Sequence, residues 1–302
     1  MSGALQAVYQ NLRSFFSGNK AIFGFGLSNV LVSITNLVSN NGVVASDTTG
    51  VGTARTALAA AGYGTDKAIF GYGATTPSLS MTNLVSNTGV VASDTTGVGT
   101  ARSGLAAATY GTDKAIFGYG TDNAVTDFSE TNKVSNTGVV AEDTAGVGLA
   151  RYQLAAAGYG TDKAIFGYGN GGGASSITNL VSNTGVVASD TTGVGTARFQ
   201  LAAAGYGLDK AIFGYGNGPV SITNLVSNTG VVSTDTTGVG TERRFLAAAG
   251  YGTDKAIFGY GQSGAGSKVS MTNLVTNTGV VATDTTGVGT GRSSLAAASY
   301  SS

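Results

Sequence analysis

The sequence predicts an all-β fold in which one unit of about 47 residues is repeated six times. Copies of one glycine-rich phrase span 58–73, 105–120, 154–169, 201–216 and 246–261. Half of the phrase opens the chain at Asn19–Gly26, and the missing half closes it at Leu295–Tyr300. The 49 glycines, with only two prolines and many valines, threonines and tyrosines, indicate short strands joined by tight turns.

The second strand of a unit is typified by Lys67–Gly73. Its residues alternate, so Ala68, Phe70 and Tyr72 are predicted to share one face and Ile69 to lie on the other. Both faces carry apolar groups. This pattern is typical of a strand packed between two sheets.

Three further strands complete the predicted unit. Leu58–Ala61 forms an inner strand of small side chains, and the turn formers of Gly62–Asp66 join it to the second strand as a hairpin. The third strand is Ser80–Ser86, and a turn at Asn87–Gly89 leads to the outer strand Val90–Ser93. Each unit thus supplies four short antiparallel strands.

The repeat length favours a β-propeller. The second-strand lysines recur every 45 to 49 residues, which is the length of a four-stranded propeller blade, at Lys20, Lys67, Lys114, Lys163, Lys210 and Lys255. The alternative is a parallel β-helix, which would need two coils per unit. We therefore predict a six-bladed β-propeller over residues 19–302, with the ring closed by the C-terminal strand in blade one.

Residues 1–18 stand outside the repeat. Leu5, Val8, Tyr9 and Leu12 have helix-like spacing. The segment is predicted to be an N-terminal arm or short helix that docks on a partner chain, or else a frayed end or a cap over the ring.

Composition excludes several functions. Sixteen basic residues balance 16 acidic ones, so nucleic acid is not an expected partner. The absence of His and Cys removes the commonest general base and metal ligands, so we expect no metal, no cofactor and no enzyme activity. No apolar run reaches membrane-spanning length, and no secretory signal is seen, so membrane insertion is not expected.

The six copies differ in two places. One is the segment after the second strand, at 27–32, 74–79, 121–130, 170–175, 217–220 and 262–269. The other is the residue pair after a repeated arginine, at 56–57, 103–104, 152–153, 199–200, 244–245 and 293–294. Because the strands alternate in direction, both segments are expected on one end of the ring, which we call the variable face. The invariant turns would lie on the opposite end, the invariant face.

The variable face is the predicted binding site, since recognition is normally built on loops held by a rigid scaffold. Tyr152, Phe199, Arg244 and Phe245 would supply aromatic and arginine contacts. Asp122, Asp127 and Glu130, in the longest loop, would accept hydrogen bonds from sugar hydroxyls or bind a hard cation. The alternative is drift in unconstrained loops.

Charged residues also repeat. An arginine precedes each inner strand, at Arg55, Arg102, Arg151, Arg198, Arg243 and Arg292, and an aspartate is expected late in each outer strand, at Asp47, Asp94, Asp143, Asp190, Asp235 and Asp284. We expect each arginine to tie neighbouring strands together through carbonyls or an aspartate, and the alternative is a charged ring that binds an ion. The repeated lysines and turn aspartates are expected to be solvated, or to present a sixfold pattern to a symmetric partner.

The unit resembles the kelch repeat. In that family an arginine precedes a small-residue strand, a hairpin leads to a strand of aromatic residues and glycines, and two outer strands follow. Arg102, Leu105–Ala108, Ile116–Gly120 and Val139–Val140 take those places, although the family's paired glycines are Gly-Tyr-Gly here and its outer-strand Trp is missing. The resemblance covers about residues 19–300 and implies a β-propeller used mostly for binding.

A second resemblance is to predicted tail or virion proteins of bacteriophages. The opening residues 2–15 carry it, together with the repeated Lys-Ala-Ile-Phe-Gly-Tyr-Gly and Thr-Asn-Leu-Val-Ser-Asn-Thr-Gly-Val-Val. It implies a virion location, with a host-surface glycan or protein, or another virion protein, as partner. The alternatives are a glycan-binding lectin and, third, a hydrolase.

Overall fold

A computed structural model describes residues 20–122 and 125–301 as an all-β structure that contains no helix. The predicted N-terminal arm, residues 1–18, lies outside the described residues. The strands are β1 Lys20–Gly24, β2 Thr35–Val38, β3 Ala59–Tyr63, β4 Lys67–Gly71, β5 Thr82–Val85, β6 Ala106–Tyr110, β7 Lys114–Asp122, β8 Thr126–Val134, β9 Ala155–Tyr159, β10 Lys163–Gly167, β11 Thr178–Val181, β12 Ala202–Tyr206, β13 Lys210–Gly214, β14 Thr223–Val226, β15 Arg243–Arg244, β16 Ala247–Tyr251, β17 Lys255–Gly259, β18 Gln262–Ser263, β19 Thr272–Val275 and β20 Ala296–Tyr300. Over the same ranges, the structure holds no helix of the length and hydropathy needed to cross a membrane.

Three-stranded antiparallel sheets repeat along the chain. Each places a second strand between an inner and a third strand, in the orders β20-β1-β2, β3-β4-β5, β6-β7-β8, β9-β10-β11, β12-β13-β14 and β16-β17-β19. The short strands β15 and β18 form a separate pair. The predicted repeat of short antiparallel strands is therefore confirmed.

The inner strand is longer than predicted. Gly62 and Tyr63 were expected in the turn, but they pair with Ala68 and Lys67 as part of β3. The turn is confined to Gly64, Thr65 and Asp66. Thr65 has a φ of 70° and Gly64 a φ of 60°, and two consecutive residues with positive φ close a tight hairpin with the twist of its strands.

The predicted outer strand differs from the structure. Val90–Ser93 does not form a strand. Its chain instead lies beside β5 and touches it through isolated bridges, from Val91 to Val85 and from Thr95 to Thr82. Between these bridges, the side chain of Asn83 donates a hydrogen bond to the carboxylate of Asp94 at 2.9 Å. The fourth strand predicted for each unit is thus a hydrogen-bonded edge segment.

The longest variable segment is also not the loop that was expected. Residues 121–130 mostly extend β7 and β8, which pair again beyond a register shift between Gly118 and Gly120. Asp127 and Glu130 therefore lie in β8, and Asp122 ends β7.

Tyr72 lies on the opposite face from the one predicted. Ala68 and Phe70 pack into one inter-sheet cluster, whereas Tyr72 packs with Ile69 into the next. The strand ends at Gly71, and Tyr72 has a φ of 62°. A residue in the left-handed region breaks the alternation of a strand, so its side chain turns to the other side.

The core lies between neighbouring sheets. One cluster joins Ala61, Tyr63 and Ile69 of one sheet to Ala115 and Phe117 of the next. Equivalent clusters occur at the other junctions, including those on both sides of the sheet that contains β1 and β20. Because these side chains are almost fully buried, packing between sheets is the main source of stability.

Glycine at the end of each second strand permits this close packing. A Cβ at Gly71 would lie 2.7 Å from Phe117 Cζ in the adjacent sheet. The Phe117 ring also meets the Tyr72 ring at a centroid distance of 5.1 Å. An aromatic ring thus occupies the space that a side chain at the glycine would need.

The two ends of the described chain meet in one sheet. β1 pairs antiparallel with β20, with Ile22 opposite Ala298 and Lys20 opposite Tyr300. The N–H of Ser301 also donates to the carbonyl of Asp66 in the next sheet at 3.0 Å. The C-terminal strand therefore supplies the inner strand of the sheet that the N-terminal strands begin.

Deleting residues 295–302 should lower the melting temperature by roughly 10 °C or more, because the deletion exposes β1 and removes buried Tyr300 and Leu295. Deleting only residues 301–302 is the control and should change it little. Equal melting curves for the two deletions, followed by circular dichroism, would contradict the importance of this pairing.

Gly71→Ala should cost about 1–3 kcal/mol by overpacking against Phe117, or roughly 2–8 °C in melting temperature. Gly264→Ala is the matched control, since its Cβ would meet nothing closer than Pro219 Cγ at 3.7 Å. Differential scanning calorimetry of both variants measures the effect. A Gly71→Ala protein as stable as Gly264→Ala would show that the neighbouring sheet shifts to accommodate the added methyl group.

Candidate functional site

The repeated arginines are buried structural residues. Arg55 is fully buried; its Nε donates to the carbonyl of Tyr72 at 2.7 Å and its Nη2 donates to Asn83 Oδ1 at 2.7 Å. Its guanidinium also stacks on the ring of Phe25 in the preceding sheet, 4.5 Å from the centroid. Burial lowers the pKa of Arg55 to about 10, with Asp94 acting in the opposite direction, so the group stays charged at neutral pH. The predicted tie between strands is confirmed.

The repeated aspartates hold the crossover between units. Asp94 accepts hydrogen bonds from the backbone N–H of Thr53 at 2.9 Å, from the Thr53 hydroxyl at 2.7 Å and from Asn83 Nδ2 at 2.9 Å. Burial raises the pKa of Asp94, but these hydrogen bonds and the charge of Arg55 lower it more, so the net shift is downward. A Cβ at Gly52 would lie 2.5 Å from Asp94 Oδ1, which explains the glycine in this crossover.

A cycle of backbone hydrogen bonds runs through the residue before each inner-strand leucine. Each of these residues has a positive φ and donates its backbone N–H to the carbonyl of the equivalent residue one unit earlier, at 2.6–2.9 Å. The members, in chain order, are Ala57, Gly104, Gln153, Gln200, Phe245 and Ser294. Ala57 donates to Ser294, which completes the cycle. This cycle, with the leucine that follows each member, surrounds a narrow pocket of about 80 Å³.

The two variable segments of each unit lie side by side, as the sequence predicted. Thr56 exchanges backbone hydrogen bonds with Ala74, and Tyr152 does so with Asn170. Arg243–Arg244 pairs with Gln262–Ser263 in the same way. The variable residues thus gather at the end of the inner strands where the narrow pocket opens.

Three of the predicted site residues, Phe199, Arg244 and Phe245, are linked into one surface. Asn217 donates its backbone N–H to the carbonyl of Phe199 at 2.7 Å, and its Oδ1 accepts from Arg244 Nη1 at 3.4 Å. The guanidinium of Arg244 lies 5.8 Å from the ring centroid of Phe245. The backbone of Phe245 reaches Gln200, which extends the surface toward Tyr152.

Sequence reasoning missed two glutamines of this surface. Gln200 Nε2 donates to Gln153 Oε1 at 3.1 Å, and both side chains line the narrow pocket beside Phe245. Within the described residues, Gln200 Oε1 is buried and accepts no hydrogen bond. We call Tyr152, Gln153, Phe199, Gln200, Arg244 and Phe245 the variable patch. The sequence pattern that could have indicated these glutamines is that Gln153 and Gln200 each occupy the second position of a variable pair.

The three predicted acidic residues do not join this patch through any contact found in the structure's described ranges. Asp122 Oδ1 accepts the N–H of Thr126 at 2.6 Å and so closes the turn between β7 and β8. Glu130 Oε2 accepts the N–H of Ser129 at 3.2 Å, and Asp127 faces Thr121 across the hairpin. Among residues 20–122 and 125–301, no group of three acidic side chains could hold a metal ion.

A larger cavity at the opposite end was not predicted. Its volume is about 550 Å³, and equivalent residues of all six units line it. The last residue of each inner strand is a tyrosine of this lining, at Tyr63, Tyr110, Tyr159, Tyr206, Tyr251 and Tyr300. Burial raises the pKa of these tyrosines, so they are neutral phenols at physiological pH. We call this space the tyrosine cavity.

Small residues and ion pairs complete the tyrosine cavity. Gly62 and its equivalents line it, and where the glycine is replaced by Thr109 or Ser299, the hydroxyl donates to a neighbouring glycine carbonyl at 2.8 Å. At the mouth, half-exposed Lys67 pairs with Asp66 at 2.7 Å, and the other turns repeat this pair at 2.8–3.2 Å. The interior left to a ligand is therefore mostly apolar.

Comparisons with known proteins support the fold alone. No protein-family model matches the chain, and no curated protein matches it in sequence. Among solved structures, the chain is similar to the structure of YjhT, with a TM-score of 0.65 at 11% sequence identity, over 85% of this chain and 92% of that chain. The likeness and the repeated three-stranded sheets are those of a propeller-like repeat fold. The kelch and bacteriophage resemblances stay predictions.

The crossover aspartates should make the protein acid-sensitive. Because the folded-state pKa of Asp94 lies below its ordinary value of 3.8, its stabilising contribution is complete above that value and is lost as the pH falls through the lower folded-state pKa. Four equivalents are shifted the same way, at Asp47, Asp143, Asp235 and Asp284. The melting temperature should therefore hold between pH 7 and 5 and drop below about pH 4.

Asp94→Asn should have a lower melting temperature than the unsubstituted protein at pH 7. Thr53 and Asn83 both donate to Asp94, and the amide nitrogen of asparagine would face one of these donors without accepting its hydrogen bond. That difference should shrink as the pH falls below 4. Asp127→Asn, in β8, is the control and should follow the unsubstituted protein throughout. A constant difference between Asp94→Asn and the unsubstituted protein from pH 7 to 2 would contradict this role for the ionised carboxylate.

Proposed function

We propose that residues 19–302 form a six-bladed β-propeller in which β20 closes the ring. Three features support this arrangement: the six three-stranded sheets, the pairing of β20 with β1, and the cycle of hydrogen bonds through Ala57 and Ser294. In this interpretation the edge segment beside each third strand is the outermost, fourth element of a blade. The narrow pocket and the tyrosine cavity then lie on the ring axis, at opposite ends.

The function that the geometry supports best is a non-enzymatic structural and binding module. The variable patch is the observation that carries this proposal. It joins aromatic rings, amides and a guanidinium from three successive units on a scaffold whose remaining positions repeat almost unchanged. Five members of the backbone cycle beneath it have a positive φ without being glycine. Such backbone strain is often found at functional sites.

The setting that we propose is a bacteriophage virion, at the tail or fibre, where the variable face contacts the host surface or a neighbouring virion protein. The resemblance of residues 2–15 and of the repeated phrases to predicted virion proteins supports this setting. Mass spectrometry of purified particles from the source culture tests it. Peptides of this chain should copurify with the particles through a density gradient, and their absence would contradict the virion proposal.

The second candidate is a glycan-binding lectin unconnected to a virion. A specific observation favours it: Phe245 lies beside the paired amides of Gln153 and Gln200 at the narrow pocket. An apolar ring face and amide hydrogen-bonding groups together match the apolar face and the hydroxyls of a sugar. A glycan array probed with the purified protein distinguishes the two candidates when it is combined with the particle analysis.

Phe245→Ala and Gln200→Ala should each weaken binding to an array-positive glycan, or to host cells, by about tenfold, as for a contact worth 1–2 kcal/mol. Leu208→Ala, a change of a 51% exposed residue on the invariant face, is the matched control and should leave binding unchanged. Equal loss in all three variants would point to damage to the fold, and no loss in any would contradict the patch.

A further inference from the structure

The tyrosine cavity has one gap in its rim, where the chain enters. In five units a turn joins the inner strand to the second strand at the cavity mouth, as Gly64–Asp66 does between β3 and β4. β20 and β1, the last and first of the described strands, pair without such a turn between them. Lys20 pairs with Tyr300, and Tyr300 lines the cavity. The chain that precedes Lys20 therefore leaves the described structure at the cavity mouth.

The chemistry of the cavity selects an apolar occupant. The hydroxyls of Thr109 and Ser299 already donate to glycine carbonyls. Lys67 and the four equivalent lysines already pair with aspartates at the rim. The rest of the lining consists of glycines, the small exposed edges of the buried tyrosines, and turn residues such as Thr65 and Leu208. A volume of about 550 Å³ is within the usual range for ligand pockets.

Residues 1–19 match that chemistry. Leu5, Tyr9, Leu12 and Phe16 recur at spacings of four, three and four residues, and this spacing would place them on one face of a helix. Arg13 is the one charged side chain before Lys20. A helix over residues 5–16 would be about 18 Å long, and the short link to Lys20 would keep its local concentration at the mouth in the millimolar range.

We propose that the N-terminal segment of this chain, residues 4–16, binds in the tyrosine cavity of the same molecule with its apolar face inward. The segment buries the large side chains at 5, 9, 12 and 16 against the glycines and turn residues that line the cavity, and Arg13 stays at the rim near the turn aspartates. Docking of the segment concerns the invariant face. It does not depend on what the variable patch binds.

The absence of Trp and Cys allows a direct test in the full chain. Phe16→Trp places a single indole in the segment. We expect a blue-shifted emission maximum and acrylamide quenching several-fold weaker than for Val125→Trp. Val125 is 84% exposed beside the β7–β8 turn and is the exposed reference. Emission of Phe16→Trp equal to that reference would overturn the proposal.

Blocking the cavity locates the binding site of the segment. In the Phe16→Trp background, Thr112→Arg with Thr161→Arg brings two guanidinium groups to the lining of the mouth, and the emission should shift to the red. Thr112→Asn with Thr161→Asn is the matched control, because asparagine tolerates the positive φ of both positions, and the blue shift should persist. A blue shift that survives the arginine substitutions would overturn the proposal.

A disulfide test measures the same contact without the arginine substitutions, so its result does not depend on whether the arginine variant folds. Leu12→Cys with Thr161→Cys should form an intrachain disulfide on mild oxidation, since the two Cα atoms must approach within about 7 Å. Leu12→Cys with Val125→Cys should not. Mass spectrometry of monomer bands separates this result from exchange between molecules. Crosslinking found only in dimers would overturn docking within one chain.

Discussion

A buried arginine at each junction between sheets is the interaction on which the rest of the structure depends. Arg55 stacks on Phe25 of the preceding sheet and bonds to a carbonyl, to Asn83 and, at a longer 3.8 Å, to Asp94 of its own sheet. A guanidinium buried without such partners costs several kcal/mol. Every unit that uses this joint must therefore keep the arginine, the asparagine, the aspartate and the aromatic ring together, which explains why six copies repeat so many polar residues.

The same joint determines where the sequence can vary. An aromatic ring of the next sheet packs against each second-strand glycine, and a carboxylate lies close to each crossover glycine, so a side chain at either position would be destabilising. The inner strands must stay small where they converge. Tyr152, Phe199 and Arg244, at the variable positions near the narrow pocket, are only partly buried. Restriction of variation to one end thus follows from packing, whatever that end binds.

Much of this could be predicted from the sequence, because hairpins and alternation are local patterns. The strands from Lys67 and Thr82 and the role of Arg55 followed from spacing and residue type. The side-chain direction of Tyr72 did not, since its positive φ breaks the alternation of the strand and its ring packs on Phe117 of another unit. Gln153 and Gln200 meet across units 47 residues apart, and the tyrosine cavity needs all six units, so neither is visible in a single repeat.

The two ends of the inner strands pose different recognition problems. A ligand at the tyrosine cavity meets nearly the same tyrosine, glycine and lysine from every direction, so little in the rim fixes its orientation. This symmetry is broken between Tyr300 and Lys20, which pair as β20 and β1 without the turn that joins the inner and second strands of the other units. A segment attached at that gap is oriented by its own covalent link and needs no asymmetric contacts. At the variable patch the reverse holds: orientation must come from side chains, and Arg244, Phe245 and the paired glutamines provide it.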